Sequence, residues 1–265
     1  MARIHKTAIV SEKAVLASDV EIGPYCIVED NVEIGAGTKL LKHCCVSGNT
    51  IIGENNIIYP FVSLGTEPQD YSFTNQKAYL KIGNGNKFRE GFTANIGSSD
   101  GAATTIGNDG FFMANSHVAH DCVVGNNIVL GNCSGFAGHS HIGNNVIIAP
   151  LAGIHQFVKV GRFVIMSGGS VTSLDVPPFM IADGRNGAIK SINLIGLKRN
   201  GFSKEAIKAI RDVYKIFYRG GLNATNGLNK IKEEIEPLPE VLEFIEFVES
   251  SKRGVGCGRQ TGRRA

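Results

Sequence analysis

Every sixth residue of this chain is apolar over two long stretches. Counting by six from Ile4 gives Val10, Leu16, Ile22, Val28, Ile34, Leu40, Val46, Ile52, Ile58 and Leu64. Counting from Ile106 gives Phe112, Val118, Val124, Leu130, Phe136, Ile142, Ile148, Ile154, Val160 and Met166. Glycine often follows the aliphatic position, as in Ile22-Gly23, Val124-Gly125 and Ile142-Gly143, and asparagine turn signals come next, as in Gly143-Asn144-Asn145. A sandwich of alternating strands would show a period of two with irregular spacing. A period of six instead marks a solenoid, in which short strands and tight turns alternate and three strands close one triangular coil. Each aliphatic side chain points inward and stacks on its counterpart one coil away, where a polar group would be buried without a partner. The pattern predicts a mainly β fold, a hexapeptide-repeat parallel β-helix over residues 1–175.

The count is interrupted twice, near 66–80, with Glu67-Pro68-Gln69-Asp70 and the aromatics Tyr71, Phe73 and Tyr79, and near 97–104, which is rich in Gly, Ser and Ala. Because Ile82, Phe88 and Ala94 resume it, these stretches read as loops ejected from the coil, where binding residues are usually found. Asp175-Val-Pro-Pro-Phe179 closes the solenoid, since consecutive prolines cannot continue a hydrogen-bonded ladder. Helical periodicity follows, and the C-terminal domain, 176–250, is expected to be α-helical. Ser203 is a good N-cap for a helix to about Tyr218. Further helices are predicted over 188–199, 225–235 and 240–250.

Composition narrows the picture modestly. A chain of 265 residues that is 43% hydrophobic buries a sizeable core. The formal charge of +3 is concentrated at the end, where Lys252, Arg253, Arg259, Arg263 and Arg264 stand without an acidic neighbour. The body is thus near neutral, and residues 251–265 read as a basic, glycine-rich, disordered tail. Nucleic-acid binding is not implied. Six cysteines without a Cys-x-x-Cys pair suit a reduced, cytoplasmic setting. No apolar run reaches the length of a signal peptide core or a transmembrane span.

The candidate chemistry lies in Asn115-Ser116-His117-Val118-Ala119-His120-Asp121. Residues eighteen apart stand above one another, about 4.8 Å apart. His120 then faces Gly138 and Gln156, Asp121 faces His139 and Phe157, and His117 faces Gly135 and Gly153. A general base beside a glycine N–H that no side chain shields, with Asp121 or His117 to orient the imidazole, is a possible acyl-transfer arrangement. Isolated histidines on solenoids are more often merely solvated.

Taken together, the ladder, His117-Val-Ala-His120-Asp-Cys122, Ala137-Gly-His139, Ile154-His-Gln-Phe157, Asp175-Val-Pro-Pro178 and Ile195-Gly-Leu-Lys-Arg-Asn-Gly-Phe202 resemble the UDP-N-acetylglucosamine O-acyltransferase family over the chain to about residue 250. The resemblance implies a left-handed β-helix, a homotrimer with sites between subunits, and transfer of a 3-hydroxyacyl group from acyl carrier protein to the glucosamine 3-OH of a UDP-sugar in lipid A synthesis. No cofactor is implied beyond the phosphopantetheine that carries the donor. By the same resemblance His120 is the general base, Asp121 orients it and the Gly138 amide faces the oxyanion. His117, His139, His155 and Gln156 line the donor and sugar site, and Gly168 leaves room for the acyl chain. Asn193 and Arg199 fall at nucleotide-contacting positions and Asp70 at a sugar-contacting one. The basic stripe Lys204, Lys208, Arg211 and Lys215 would dock the acidic carrier protein.

Four positions depart from the family pattern. Ser72 and Ile195 replace a lysine and a glutamate, and Asn95 and Asn186 replace histidines. They suggest an acceptor such as a 3-amino sugar nucleotide, or a non-catalytic binding scaffold. A zinc enzyme of the γ-carbonic anhydrase kind uses the same solenoid, but its ligand pair is expected five residues apart and no two histidines here are. The expected mechanism is direct attack, with no acyl-enzyme on Cys122 or Ser116.

Overall fold

The computed structural model describes residues 1–185 and 187–258. Short strands, most of them two residues long and all but the last parallel, form a left-handed β-helix with three faces, of 11, 9 and 8 strands among the described residues. Strand partners are eighteen residues apart in the uninterrupted coils, as for His117, Gly135 and Gly153. They are twenty-four apart where the second ejected segment intervenes, as for Thr93 and His117. The sixth-position aliphatics are buried from Ile22 onward, as at Leu40, Leu64, Leu130 and Ile148. Ile4, at the open N-terminal end with no coil beneath it, is 47% exposed.

Two features keep the coils in register. Inside, the fully buried Phe88, Phe92 and Phe112 have ring centroids 4.9 to 5.1 Å apart, a contact worth more than its buried area alone. At one edge the side-chain oxygens of Asn84, Asn108, Asn126 and Asn144 accept backbone N–H groups of Glu54, Asn84, Asn108 and Asn126, each at 2.7 Å. One coil's side chains thus satisfy donors that the turn of the preceding coil would otherwise leave unpaired.

The ejected segments lie between Ser63–Thr66 and Tyr79–Ile82 and between Thr93–Asn95 and Ala103–Ile106. Three expectations need correction. The prolines end the hexapeptide count but not the sheet, because Met180–Asp183 continues the first face beside Ile165–Met166. Ala188–Ile192, predicted as helix, is a strand that turns back antiparallel on Met180–Asp183. An open sheet edge outweighs local helical propensity there, and helix begins only after the Asn193 cap. Residues 251–258, expected to be disordered, pack back onto the solenoid through bridges Asp175–Val255 and Ile189–Gly258. The remaining residues of the basic tail lie outside the described residues, as does Asn186.

Helix α1 spans Leu194–Arg199, α2 Lys204–Arg219, α3 Ala224–Glu234 and α4 Pro239–Glu249. Ser203 caps α2 by accepting the Ala206 N–H, and Ile207, Ile210 and Val213 form its buried face. Among the described residues no helix is long and apolar enough to cross a membrane.

Phe112→Ala should destabilise the protein by about 3–5 kcal/mol and Phe112→Leu by clearly less, measured by denaturant unfolding. Equal, small losses would show that the aromatic stack does not hold the central coils.

Candidate active site

Asp121 stands at a coil corner with φ +59°, a left-handed conformation that aspartate tolerates. Its N–H is held by Thr104 Oγ1 at 2.8 Å and its carboxylate takes the Ser98 N–H at 3.1 Å. Both partners come from the ejected segment and the strand that follows it. Burial alone would push this carboxyl up, but the hydrogen bonds from Ser98 and His120 outweigh it and hold it below the usual range. Asp121 therefore stays ionised.

His120 is buried, and its Nδ1 lies 2.8 Å from Asp121 Oδ2. With Nδ1–H donating to the carboxylate, the Nε2 lone pair is left to act as a base. Nε2 points at the next coil, where a Cβ built on Gly138 would lie 2.6 Å from it and 2.5 Å from Cε1. Only glycine fits there. The Gly138 carbonyl accepts the Phe157 N–H, while the Gly138 N–H, on a buried residue, has no acceptor among the described residues. That amide, directly beside the His120 ring, is available to a bound ligand.

His139 and Phe157 repeat the corner conformation at φ +60° and +63°, and their rings stack at 4.6 Å. His139 Nε2 is 3.7 Å from Asp121 Oδ2, and its ring meets that of His120 edge-on. Atoms of His120, Asp121 and His139 lie within 4.8 Å of one another, close enough to offer three ligands to a metal ion. His117 Nδ1 is 2.7 Å from Thr93 Oγ1, and burial lowers its pKa, which favours the neutral imidazole.

Asp70, in the first ejected segment, accepts both the N–H and the hydroxyl of Ser72 at 2.9 Å. Those two bonds are the main reason its pKa is lowered; the nearby charges of His120 and His139 add to the effect. Asn95 donates to Thr66 Oγ1 and the Glu67 carbonyl, so it ties down the start of that segment. Its own Oδ1 is buried without a partner. His155 and Gln156 are exposed one coil beyond Gly138, and Gly168 is exposed with only the Pro150 carbonyl near, 3.4 Å from where a Cβ would stand.

Asn193 does not present its amide as expected. It is buried, its Oδ1 caps α1 through the Gly196 N–H, and its Nδ2 donates to the Phe163 carbonyl. Arg199, at the end of α1, is exposed. This helix packs by Phe163, at a different edge of the prism from His120, so a single chain does not bring Asn193 and Arg199 to the histidines. Lys204, Lys208, Arg211 and Lys215 are exposed along α2, where Lys215 pairs with Asp212 at 2.9 Å.

Two candidate nucleophiles are disarmed. Burial pushes the Cys122 thiol up to about 12, and the Ser116 hydroxyl donates to the Met113 carbonyl at 2.6 Å instead of to a histidine. Sequence reasoning missed Thr93, Ser98 and Thr104. Thr93 and Ser98 stand 24 and 23 residues from their partners because the ejected segment intervenes, whereas Thr104, 17 residues before Asp121, lies within the ordinary repeat.

Residues 175–256 match the model of UDP-N-acetylglucosamine O-acyltransferase, domain 2. A Thermodesulfovibrio yellowstonii acyl-carrier-protein UDP-N-acetylglucosamine O-acyltransferase is 42% identical, over 96% of this chain and 99% of its own. Its counterpart in Syntrophobacter fumaroxidans is 41% identical over the same shares. The crystal structure of LpxA from Acinetobacter baumannii superposes with a TM-score of 0.92 at 43% identity, covering 96% of this chain and 99% of that one. The LpxA structure from Bacteroides fragilis gives 0.93 at 36% identity, covering 95% and 99%. Similarity of this extent spans the solenoid, both ejected segments and the helices at once, and the chain belongs to the UDP-N-acetylglucosamine O-acyltransferase family.

Proposed function

We propose that the protein transfers a 3-hydroxyacyl chain from acyl carrier protein to the glucosamine 3-OH of UDP-N-acetylglucosamine, the first step of lipid A synthesis. Near full-length similarity to enzymes named for acyl transfer to this sugar nucleotide supports the reaction. The observation that carries the residue roles is the His120–Asp121 pair set against the unbonded Gly138 amide. His120 Nε2 takes the proton of the 3-OH as that oxygen attacks the thioester carbonyl. The C=O electrons move to oxygen, and the resulting oxyanion faces the Gly138 N–H. Collapse of the intermediate expels the phosphopantetheine thiolate, which takes the proton from the imidazolium. Asp121 keeps the base in the Nε2-free tautomer and stabilises the cation as it forms. The disarmed Cys122 and Ser116 support direct attack over an acyl-enzyme.

We place the active site between subunits of a homotrimer. That assembly would bring the Asn193–Arg199 corner of one chain to the histidines of another, and would cover Phe61, Leu151 and Phe157, each more than half exposed here. The setting we propose is cytoplasmic, where the carrier protein would dock on the exposed Lys204, Lys208 and Arg211. A second reading, an acceptor with an amine at C3, draws support from Ser72, whose hydroxyl occupies Asp70 where a lysine was expected.

Acyl transfer from 3-hydroxyacyl carrier protein, assayed with UDP-N-acetylglucosamine and its 3-amino analogue in parallel, tests the proposal; turnover on neither acceptor would remove it. His120→Ala should lower kcat by roughly two to four orders of magnitude with the fold retained, and near-normal kcat would rule it out as the base. Asp121→Asn should cost less. Gly138→Ala should lower kcat about a hundredfold, because the ring it displaces is anchored to Asp121; an unaffected rate would count against the Gly138 contact.

A further inference from the structure

The C-terminal strap passes beside the site face at Arg253. Ser251 Oγ donates to Asp175 Oδ2 at 2.6 Å, Asp175 N–H to the Gly254 carbonyl, and Gly256 N–H back to the Asp175 carbonyl. Asp175 is itself buried, with its other carboxylate oxygen on the Lys159 N–H. Gly254 turns the strap at φ +76°, which suits glycine. Residues 251–256 are therefore held at both ends, and Arg253 lies between the anchors.

Arg253 is half-buried. Its Nε donates to the Ser173 carbonyl at 2.8 Å, and its Nη2 lies 3.5 Å from His155 Nδ1. Among the described residues no carboxylate pairs with it. One edge of the guanidinium is thus fixed and the others carry unused N–H groups. His155 precedes Gln156, which is two coils from His120 in the same column, so Arg253 stands about 10 Å along the prism axis from the base. Asp121 beside the base and Asp70 in the first ejected segment are both anionic, and an anion bound along this face needs a cation to offset them.

We propose that Arg253 is a substrate-positioning residue that binds a phosphate ester, with its planar fork of donors engaging the phosphate oxygens. The proposal rests on the reading of the site as one for a UDP-sugar and a phosphopantetheine thioester. Both substrates carry phosphate. The diphosphate of the nucleotide is attached at C1, close to the reacting 3-OH, whereas the carrier's phosphate lies at the far end of the pantetheine arm, so the short span to His120 favours the nucleotide.

The test is calorimetric binding of two matched pairs, UDP against uridine and 4′-phosphopantetheine against pantetheine, to the wild-type protein, Arg253→Gln and Arg253→Lys. In the wild type the phosphorylated member of one pair should bind more tightly. Arg253→Gln should reduce that preference about tenfold to a hundredfold, and Arg253→Lys should restore part of it. The pair that responds identifies the phosphate. A purely structural role would weaken both members of a pair equally, and that result, or an unchanged preference in both pairs, overturns the proposal. If the wild-type protein binds neither UDP nor 4′-phosphopantetheine, the substrate reading fails and this assignment with it. Should Arg253→Gln not fold, Arg253→Lys decides, since a fixed guanidinium fork predicts a weaker phosphate preference with the same thermal midpoint.

Discussion

The interior stack is the constraint on which the rest of this structure depends. Each coil places one aliphatic or aromatic side chain from each face directly over its counterpart in the coil before, and the backbone pairs along the axis at the same spacing. Neither the packing nor the hydrogen bonds can shift without the other. A slip would bury a polar neighbour and strand a row of N–H groups together, so register is fixed over the whole length of the prism. The surface inherits that rigidity, because every outward side chain is one or two bonds from a locked backbone.

The proposed catalytic arrangement uses this inherited order. His120 and the Gly138 amide lie on adjacent coils, so their separation is set by the stacking repeat and not by a flexible loop. Asp121 adds a second fixed point by accepting the Ser98 N–H, which ties the dyad to the ejected segment. Burying a carboxylate beside an imidazole is costly in isolation. The two hydrogen bonds offset the cost of desolvation and keep the charge where it orients the His120 imidazole. Gly138 has the opposite logic: an absent side chain admits the imidazole ring and leaves an amide free.

The C-terminal end shows a division between scaffold and function within single residues. Asn193 occupies a position where a nucleotide contact was expected, yet its amide is used to cap α1 and to bind the Phe163 carbonyl. It can position α1, and therefore Arg199, without touching a ligand. Asp175 acts similarly as a buried anchor, receiving Lys159 from the solenoid and Ser251 from the strap. One carboxylate thereby connects the last full coil to the segment that carries Arg253.

The period of six was enough to give the solenoid, its buried columns and the pairing of His120 with Gly138, because a repeating coil converts sequence distance directly into spatial distance. The same arithmetic failed wherever the repeat was broken. Thr93 and His117 are neighbours despite a separation of twenty-four, since the residues ejected between them do not advance the coil. Ala188–Ile192 became a strand because an unpaired sheet edge stood beside it, and residues 251–258 became ordered because Asp175 and Ile189 offered hydrogen-bond partners. The sequence by itself thus determined what is periodic, the fold and the placement of the dyad. Tertiary structure alone decided what depends on non-repeating contacts: the Ser98 support, the commitment of Asn193 to α1, and the position of Arg253, each fixed by a hydrogen-bond partner that no spacing rule encodes.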